Sequence, residues 1–311
     1  MSQKEPSRRA FLSTAAMTAA SMGLTGAAST ASAQATAAAQ NDASDSADRP
    51  HRLCKAVKFS MIHENLSIED KFKLVLDLGF DGVELDSPSN LNRREVVEAR
   101  DKTGIIIHGV VCSTHWNVRH SDPDPNVRAR AMENLKTAIQ DARIYGGDTV
   151  LLVPGAVRHP ENENFVQVWE RSSEAIREVI PFAQKHCVRI AIETVWNDFI
   201  TTPQQLVQYI DQFASPWVGA YLDASNMIKF GVPGETWMRM LNTRLLKLDI
   251  KGYHVQRQWV PIGEGSENYP EQRRALREIG YYGWATAEVG GGNREHLKRI
   301  AEAMDKHLMG L

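Results

Sequence analysis

Four acidic residues each stand near the end of an otherwise apolar run. Glu193 lies in RIAIETV (189–195), Asp223 in VGAYLDA (218–224), Asp249 in LLKLDIK (245–251) and Glu288 in WATAEVG (284–290). A carboxylate at the end of a buried strand is poorly hydrated, and four meeting in one cavity cannot all stay ionised unaided. Either some hold protons at raised pKa, or a divalent cation neutralises them. An all-oxygen ligand set suits a hard ion, Mn²⁺ or Mg²⁺ rather than Zn²⁺. Singly, each acid reads equally well as half of an ion pair or as a helix cap. Lys247, two residues before Asp249 on the same strand face, is placed to pair with an acid one layer down. Recurrence at four successive strand ends favours a metal site that also does acid–base work.

The elements that must position these acids are legible as alternating apolar runs and amphipathic stretches. The earlier strand candidates are VKFSMI (57–62), GVELD (82–86), IIIHGVVCS (105–113) and TVLLVPG (149–155). Between strands 4 and 5, Phe165, Val168, Trp169, Ile176, Val179, Ile180 and Ala183 keep the spacing of a helix covering a sheet. Gly79, Gly104, Gly146 and Gly280 fall where helices should end before the next strand. Eight strands and eight helices over about 255 residues predict an α/β fold, a (β/α)8 TIM barrel, whose active site belongs at the C-terminal ends of the strands. A doubly wound open sheet would put a glycine-rich turn after its first strand. The sequence there is SMIHENLS, without glycine.

Residues at the predicted mouth extend the candidate site. His115 and Trp116 follow strand 3, Trp196 and Asn197 follow strand 5, Asn226 follows strand 6, and Lys251, His254 and Arg257 follow strand 7. Aromatic rings there would offer apolar faces, and the polar groups hydrogen bonds, to a small-molecule ligand. Loop packing accounts for each of them equally well. His63, Glu64 and Glu84 are weaker candidates, and His108, in mid-strand, reads as a core histidine. Gly290-Gly291-Gly292 precedes the last helix, where TIM barrels often hold phosphate.

The chain of 311 residues carries 36 Lys+Arg against 38 Asp+Glu, with 42% apolar residues. That composition excludes collagen-like, coiled-coil and wholly disordered classes, and a net charge of −2 gives no field for nucleic acid. The 3 cysteines have no C-x-x-C spacing, which argues against a disulfide framework and a thiolate zinc site. The N-terminus differs from the rest. Ser7-Arg8-Arg9-Ala10-Phe11-Leu12, a small-residue apolar stretch and Ala31-Ser32-Ala33 form the three parts of a secretory signal, and the paired arginines resemble a twin-arginine (Tat) address. Residues 1–33 are therefore expected to be a Tat-type signal peptide, 34–52 a flexible Ala/Ser/Asp-rich linker, and 53–311 a single barrel domain. The h-region is too rich in Ala, Ser, Thr and Gly for a stable membrane anchor. The expected location is periplasmic or otherwise exported, and cleavage would leave a net charge of −4.

From about Val57 to Leu308 the chain resembles the xylose-isomerase-like TIM-barrel superfamily, which holds sugar (phosphate) isomerases, epimerases and endonuclease IV. The resemblance is carried by IAIETVWN (190–197), GAYLDASN (219–226), LKLDIKGY (246–253), the IGEG turn (262–265) and GYYGWATAEV (280–289). It implies metal ligation by Glu193, Asp223, Asp249 and Glu288. The third is a departure, because the family's usual His-x-Lys-Asp reads Asp249-Ile250-Lys251-Gly252 here. His254 is an alternative ligand, though it falls in the following loop. The implied chemistry is a metal-dependent sugar isomerase or epimerase. Glu193 and Glu288 would move a proton next to a carbonyl through a metal-bound ene-diolate. The expected partner is a small-molecule sugar, unphosphorylated or a glycoside given export, with homo-oligomerisation left open.

Two other readings share these residues. A 3-keto-glycoside lyase or hydrolase would take the same first step and then expel the aglycone. A non-catalytic periplasmic sugar-binding protein would have little use for an acid-rich mouth. An endonuclease IV activity lacks its histidines, since Val153, Asn226 and Asp249 stand in their places.

Overall fold

The computed structural model describes residues 52–309. The expected signal peptide and nearly all of the linker lie outside the described residues. Eight parallel strands close into a barrel in the order β1-β10-β7-β6-β5-β4-β3-β2. They are β1 Cys54–Lys58, β2 Gly82–Ser87, β3 Ile106–Cys112, β4 Thr149–Leu152, β5 Arg189–Glu193, β6 Val218–Asp223, β7 Leu245–Ile250 and β10 Trp284–Ala287. The short pair β8 Tyr253–His254 and β9 Gln258–Trp259 forms an antiparallel hairpin after β7. The predicted (β/α)8 barrel is the observed fold.

Helices return the chain outside the barrel: α1 Ile68–Asp77, α2 Arg93–Thr103, α3 Pro125–Tyr145, α4 Phe165–His186, α5 Pro203–Asp211, α6 Ala224–Ile228, α7 Gly234–Leu241, α8 Tyr269–Glu278 and α9 Arg294–Met304. The β6–β7 connection carries two of them, one more than the repeat demands. Side-chain oxygens cap every one of these helices but α7, among them those of Ser67, Asn92, Asp124, Asn164, Thr202 and Asn293. Gly79, Gly104, Gly146 and Gly280 all have positive φ, the backbone expected where a helix turns into the next strand. No described helix is long and apolar enough to cross a membrane.

The main core fills the space between strands and helices, with Phe72, Val83, Leu135, Ile139, Ile176 and Trp237 among its members. Inside the barrel the apolar filling is small, with Leu151, Ala191 and Tyr221 forming a separate cluster. Much of the remaining interior is polar, and that interior determines where the chemistry sits. The largest boundary difference falls on the first strand. The pattern VKFSMI extends it to residue 62, but β1 ends at Lys58 and a 3-10 turn occupies Phe59–Met61.

Candidate active site

Strand register brings the four acids to one end of the barrel. Asp223 lies directly beside Asp249 on paired strands, Glu193 pairs with Tyr221, and Glu288 follows the last residue of β10. Glu193, Asp249 and Glu288 each offer one oxygen lying within 4.8 Å of the others. Asp223 is outside that trio. Its Oδ1 accepts the Asn226 backbone N–H at 2.9 Å, capping α6, and its Oδ2 lies 2.9 Å from Lys251 Nζ.

Two lysines supply positive charge to this end. Lys251 Nζ sits 2.9 Å from both Asp223 Oδ2 and Glu288 Oε2. Lys58, at the true end of β1, is paired in register with Glu84 and donates to it, and also donates to Asp249 Oδ2 at 3.0 Å. Tyr221 completes the layer below, donating to Glu84 Oε2 at 3.2 Å. Aspartate at position 249, the departure from the family histidine, therefore comes with a buried ammonium against it.

These surroundings push the two glutamates apart. Burial and repulsion from Glu288 hold the Glu193 carboxyl well above its ordinary pKa. Burial also acts on Glu288, but Lys58 and Lys251 outweigh it and lower this carboxyl to about 2. Opposite shifts in adjacent carboxyls are the pattern expected of an acid and a base working together. Burial raises Asp249 and Asp223 too, against the pull of Lys58 and Lys251 respectively.

The chamber above the acids has a volume of about 230 Å³ and is bordered by Lys58, Asp86, His115, Trp116, Glu193 and Glu288, with Lys251 at its edge. His115 is buried, and burial lowers its pKa to about 3. Its Nδ1 accepts the Val153 N–H at 3.3 Å, so the neutral ring carries its proton on Nε2. Trp116 packs edge-on against it and is 42% exposed, leaving a ring face at the mouth.

Other expected contacts are not brought into the chamber. Asn197 spends its amide on the Gly155 carbonyl and its oxygen on the Phe199 N–H. Asn226 donates to the Thr194 carbonyl at 3.0 Å. Both brace loops. Trp196 donates to the Asn226 carbonyl and stacks on Trp259, forming a platform outside the acid cluster. His254 Nδ1 accepts the Gln256 and Arg257 N–H groups within the hairpin turn, and the exposed Arg257 donates to the Glu264 carbonyl. His108 stacks on Trp284 inside the barrel, as a core histidine should. Lys247 pairs with Asp148 at 2.9 Å, one layer down as its position suggested.

Lys58, Asp86 and Trp259 were not singled out by sequence reasoning. A lysine inside an apolar strand is the signal that would have found Lys58, had the strand been ended four residues earlier. Asp86 ends the GVELD run and repeats the pattern of the other acids.

The donor set fits a hard divalent cation. Three carboxylates converge, and Asp249 Oδ1 is buried with no hydrogen-bond partner. A barrel with acids at its C-terminal mouth is an enzyme-like arrangement. A family model described as xylose isomerase-like TIM barrel matches residues 72–308, and the chain belongs to that family. L-ribulose-5-phosphate 3-epimerase UlaE of Escherichia coli (strain K12) is 24% identical over 252 residues, 76% of this chain and 87% of that protein. Among solved structures, D-allulose 3-epimerase from Methylomonas sp. in complex with D-allulose superposes with a TM-score of 0.70 at 15% identity, over 83% of this chain and 98% of that one. The 3-keto-D-glucoside 4-epimerase from E. coli also gives 0.70, at 16% identity over 82% and 99%.

Proposed function

We propose that this chain is a sugar isomerase or epimerase that moves a proton on the carbon next to a carbonyl, with Glu288 as base and Glu193 as acid. The observation that carries this reading is the convergence of Glu193, Asp249 and Glu288, one oxygen of each within 4.8 Å of the others, at the C-terminal mouth of the barrel. Glu288, with the Lys251 ammonium 2.9 Å away, is suited to take the proton α to the carbonyl, and Glu193 to return one. His115 Nε2–H and the Lys251 ammonium can donate to the substrate's carbonyl and hydroxyl oxygens as negative charge develops there. The relatives named as sugar 3- and 4-epimerases support the same reaction class.

Glu193, Asp249 and Glu288 would hold the metal, Mn²⁺ or Mg²⁺ in preference to Zn²⁺ on their all-oxygen character. Such an ion, when bound, supplies Lewis-acid polarisation of a carbonyl. Lys58 fixes Asp249 from behind, and Asp223 holds Lys251 at the chamber's edge. Export through a Tat-type signal would place the reaction outside the cytoplasm, with a small sugar as partner.

The test is incubation of the purified protein, with Mn²⁺ or Mg²⁺, in deuterium oxide with ketoses and keto-glycosides. Products of conserved sugar skeleton carrying one solvent deuterium at the carbon next to the carbonyl are expected. Absence of exchange with every sugar and either metal would overturn the assignment.

A further inference from the structure

Lys251 and Glu288, paired at 2.9 Å, form one border of the chamber that holds the acids. The same two residues border a second cavity of about 900 Å³ on the outer side. The inner space lies below the roughly 300–1,000 Å³ usual for ligand pockets, and the outer one near its upper end. One sugar ring suits the first and leaves the second to be filled by something else.

The outer walls are mainly apolar, with Glu264, His296 and Arg299 as their polar members beside Lys251 and Glu288. Trp259, Val260 and Ile262 come from the segment after β7, and Val289, Ile300 and Ala303 from the end of β10 and α9. Trp259 is the largest of them. It is 48% exposed and lies flat on Trp196, with ring centroids 4.9 Å apart and planes 22° apart. The hairpin β8–β9 fixes it, pairing Trp259 with Tyr253. Gly252 makes the wall compact, because any Cβ there would meet the Pro261 carbonyl oxygen at 2.4 Å. At Gly290 a Cβ would meet nothing within 4 Å, so the backbone beside Glu288 borders open space.

A phosphate finds poor accommodation at the helix terminus where TIM barrels commonly hold one. The N-terminus of α9 is already served by carboxylate and amide oxygens of this chain. Glu64 Oε1 accepts the Arg294 N–H at 2.8 Å, and Asn293 Oδ1 accepts the His296 N–H at 3.1 Å. An anion arriving there would face the Glu64 charge. His296 Nε2–H donates to the Gly290 carbonyl at 2.8 Å.

We infer that the substrate is a glycoside whose keto-sugar ring enters the inner chamber while an apolar, ring-bearing aglycone lies in the outer groove against Trp259. This rests on the sugar-epimerase reading and extends it to the substrate class. Trp259 and the α9 face act as specificity determinants. They touch the part of the molecule that does not react, and their binding energy holds the sugar ring in register with Glu193 and Glu288.

The experiment has two readouts. The first compares kcat/KM, in the metal-supplemented full chain, for a phenyl 3-keto-glucoside, its methyl counterpart and the free 3-keto-sugar. Burying a phenyl ring predicts a preference of roughly ten- to a hundred-fold for the phenyl compound. Trp259→Ala and Ala303→Phe should each bring that preference down towards unity. The second readout is binding without turnover, by calorimetry with phenyl and methyl β-glucoside, and by quenching of Trp259 fluorescence judged against W259A. Tighter, Trp259-dependent binding of the phenyl compound supports the subsite even if no keto-sugar is turned over, an outcome that would fail only the epimerase reading. Release of phenol would likewise support the subsite and change the reaction to elimination. Equal handling of phenyl and methyl compounds by the wild type, in both readouts, overturns the inference, as does a preference that W259A and A303F leave intact.

Discussion

The two ends of the barrel interior are built from the same residue types and balanced differently. At the floor, Lys247 is almost fully buried and pairs with one acid, Asp148, whose other oxygen meets Arg189. His108 lies beside it, stacked on Trp284 and hydrogen-bonded to Thr286. At the mouth, Lys58 and Lys251 face five carboxylates, those of Glu84, Glu193, Asp223, Asp249 and Glu288. At the floor the charged groups are paired, and His108 Nδ1 is a buried atom without a partner. The mouth carries surplus negative charge and the unpartnered Asp249 Oδ1, the arrangement expected of a reactive site.

Removing the mouth's acid–base pair should have the largest effect. Glu193→Gln and Glu288→Gln are each expected to lower kcat by about 10²–10⁴-fold while leaving the circular dichroism and unfolding midpoint near wild type. Comparable activity in either variant would reduce the mouth to a structural charge cluster like the floor.

Lys58→Met tests whether the mouth is held together by its ammoniums. It strands Glu84 and Asp249 in a buried site, and a loss of about 3–5 kcal/mol is expected from urea unfolding. Adding Asp249→Asn should recover part of that loss, since one of the two stranded charges goes with it. No recovery would mean that Lys58 acts through packing instead.

Acid should weaken the protein through histidines buried in neutral form. Burial lowers His115 to about 3 and His120 to about 4, against an unfolded value of about 6.5. Below that unfolded value the unfolded chain binds protons the folded chain refuses. Their contribution to stability is therefore present above about pH 6.5 and is lost as pH drops towards the folded values, by roughly 1.4 kcal/mol per unit for each histidine. The raised carboxyls of Glu193 and Asp249 act in the opposite sense over the same range, so the histidine contribution, about 1.6 kcal/mol each between pH 6.5 and 5 in the metal-free protein, is read by comparing variants. Relative to wild type, His120→Gln should therefore gain about 1.6 kcal/mol between pH 6.5 and 5, and a difference between the two that does not change with pH would assign the acid sensitivity elsewhere.

The smallest effect is expected at the floor. Lys247→Met leaves behind only Asp148, whose side chain is 52% exposed and can hydrate. A loss of about 1–2 kcal/mol would be consistent with that, and a loss equal to that of Lys58→Met would erase the distinction between the two ends.

How far the sequence reached depended on the range of the interactions involved. The barrel was legible because apolar runs, amphipathic helices and terminal glycines each follow from local backbone chemistry. The acids at 193, 223, 249 and 288 were legible because a charge closing a buried strand is conspicuous in one dimension. Lys58 was hidden by a boundary, since VKFSMI keeps the strand pattern past the point where the chain turns. Asn197 and Asn226 looked like ligand contacts because an amide suits a loop brace and a sugar hydroxyl equally. Trp259 sits on a strand of two residues, too short for any periodicity to mark.

The sequence by itself therefore determined the repeat, the order of the strands and the kinds of group delivered to their ends. The export signal expected from Arg8-Arg9 and Ala31-Ser32-Ala33 falls on residues outside those described. Only the tertiary structure decided which carboxylates converge and which of them a lysine already holds. Those outcomes depend on distances of a few ångströms between strands far apart in the chain, and on how much water each group has lost.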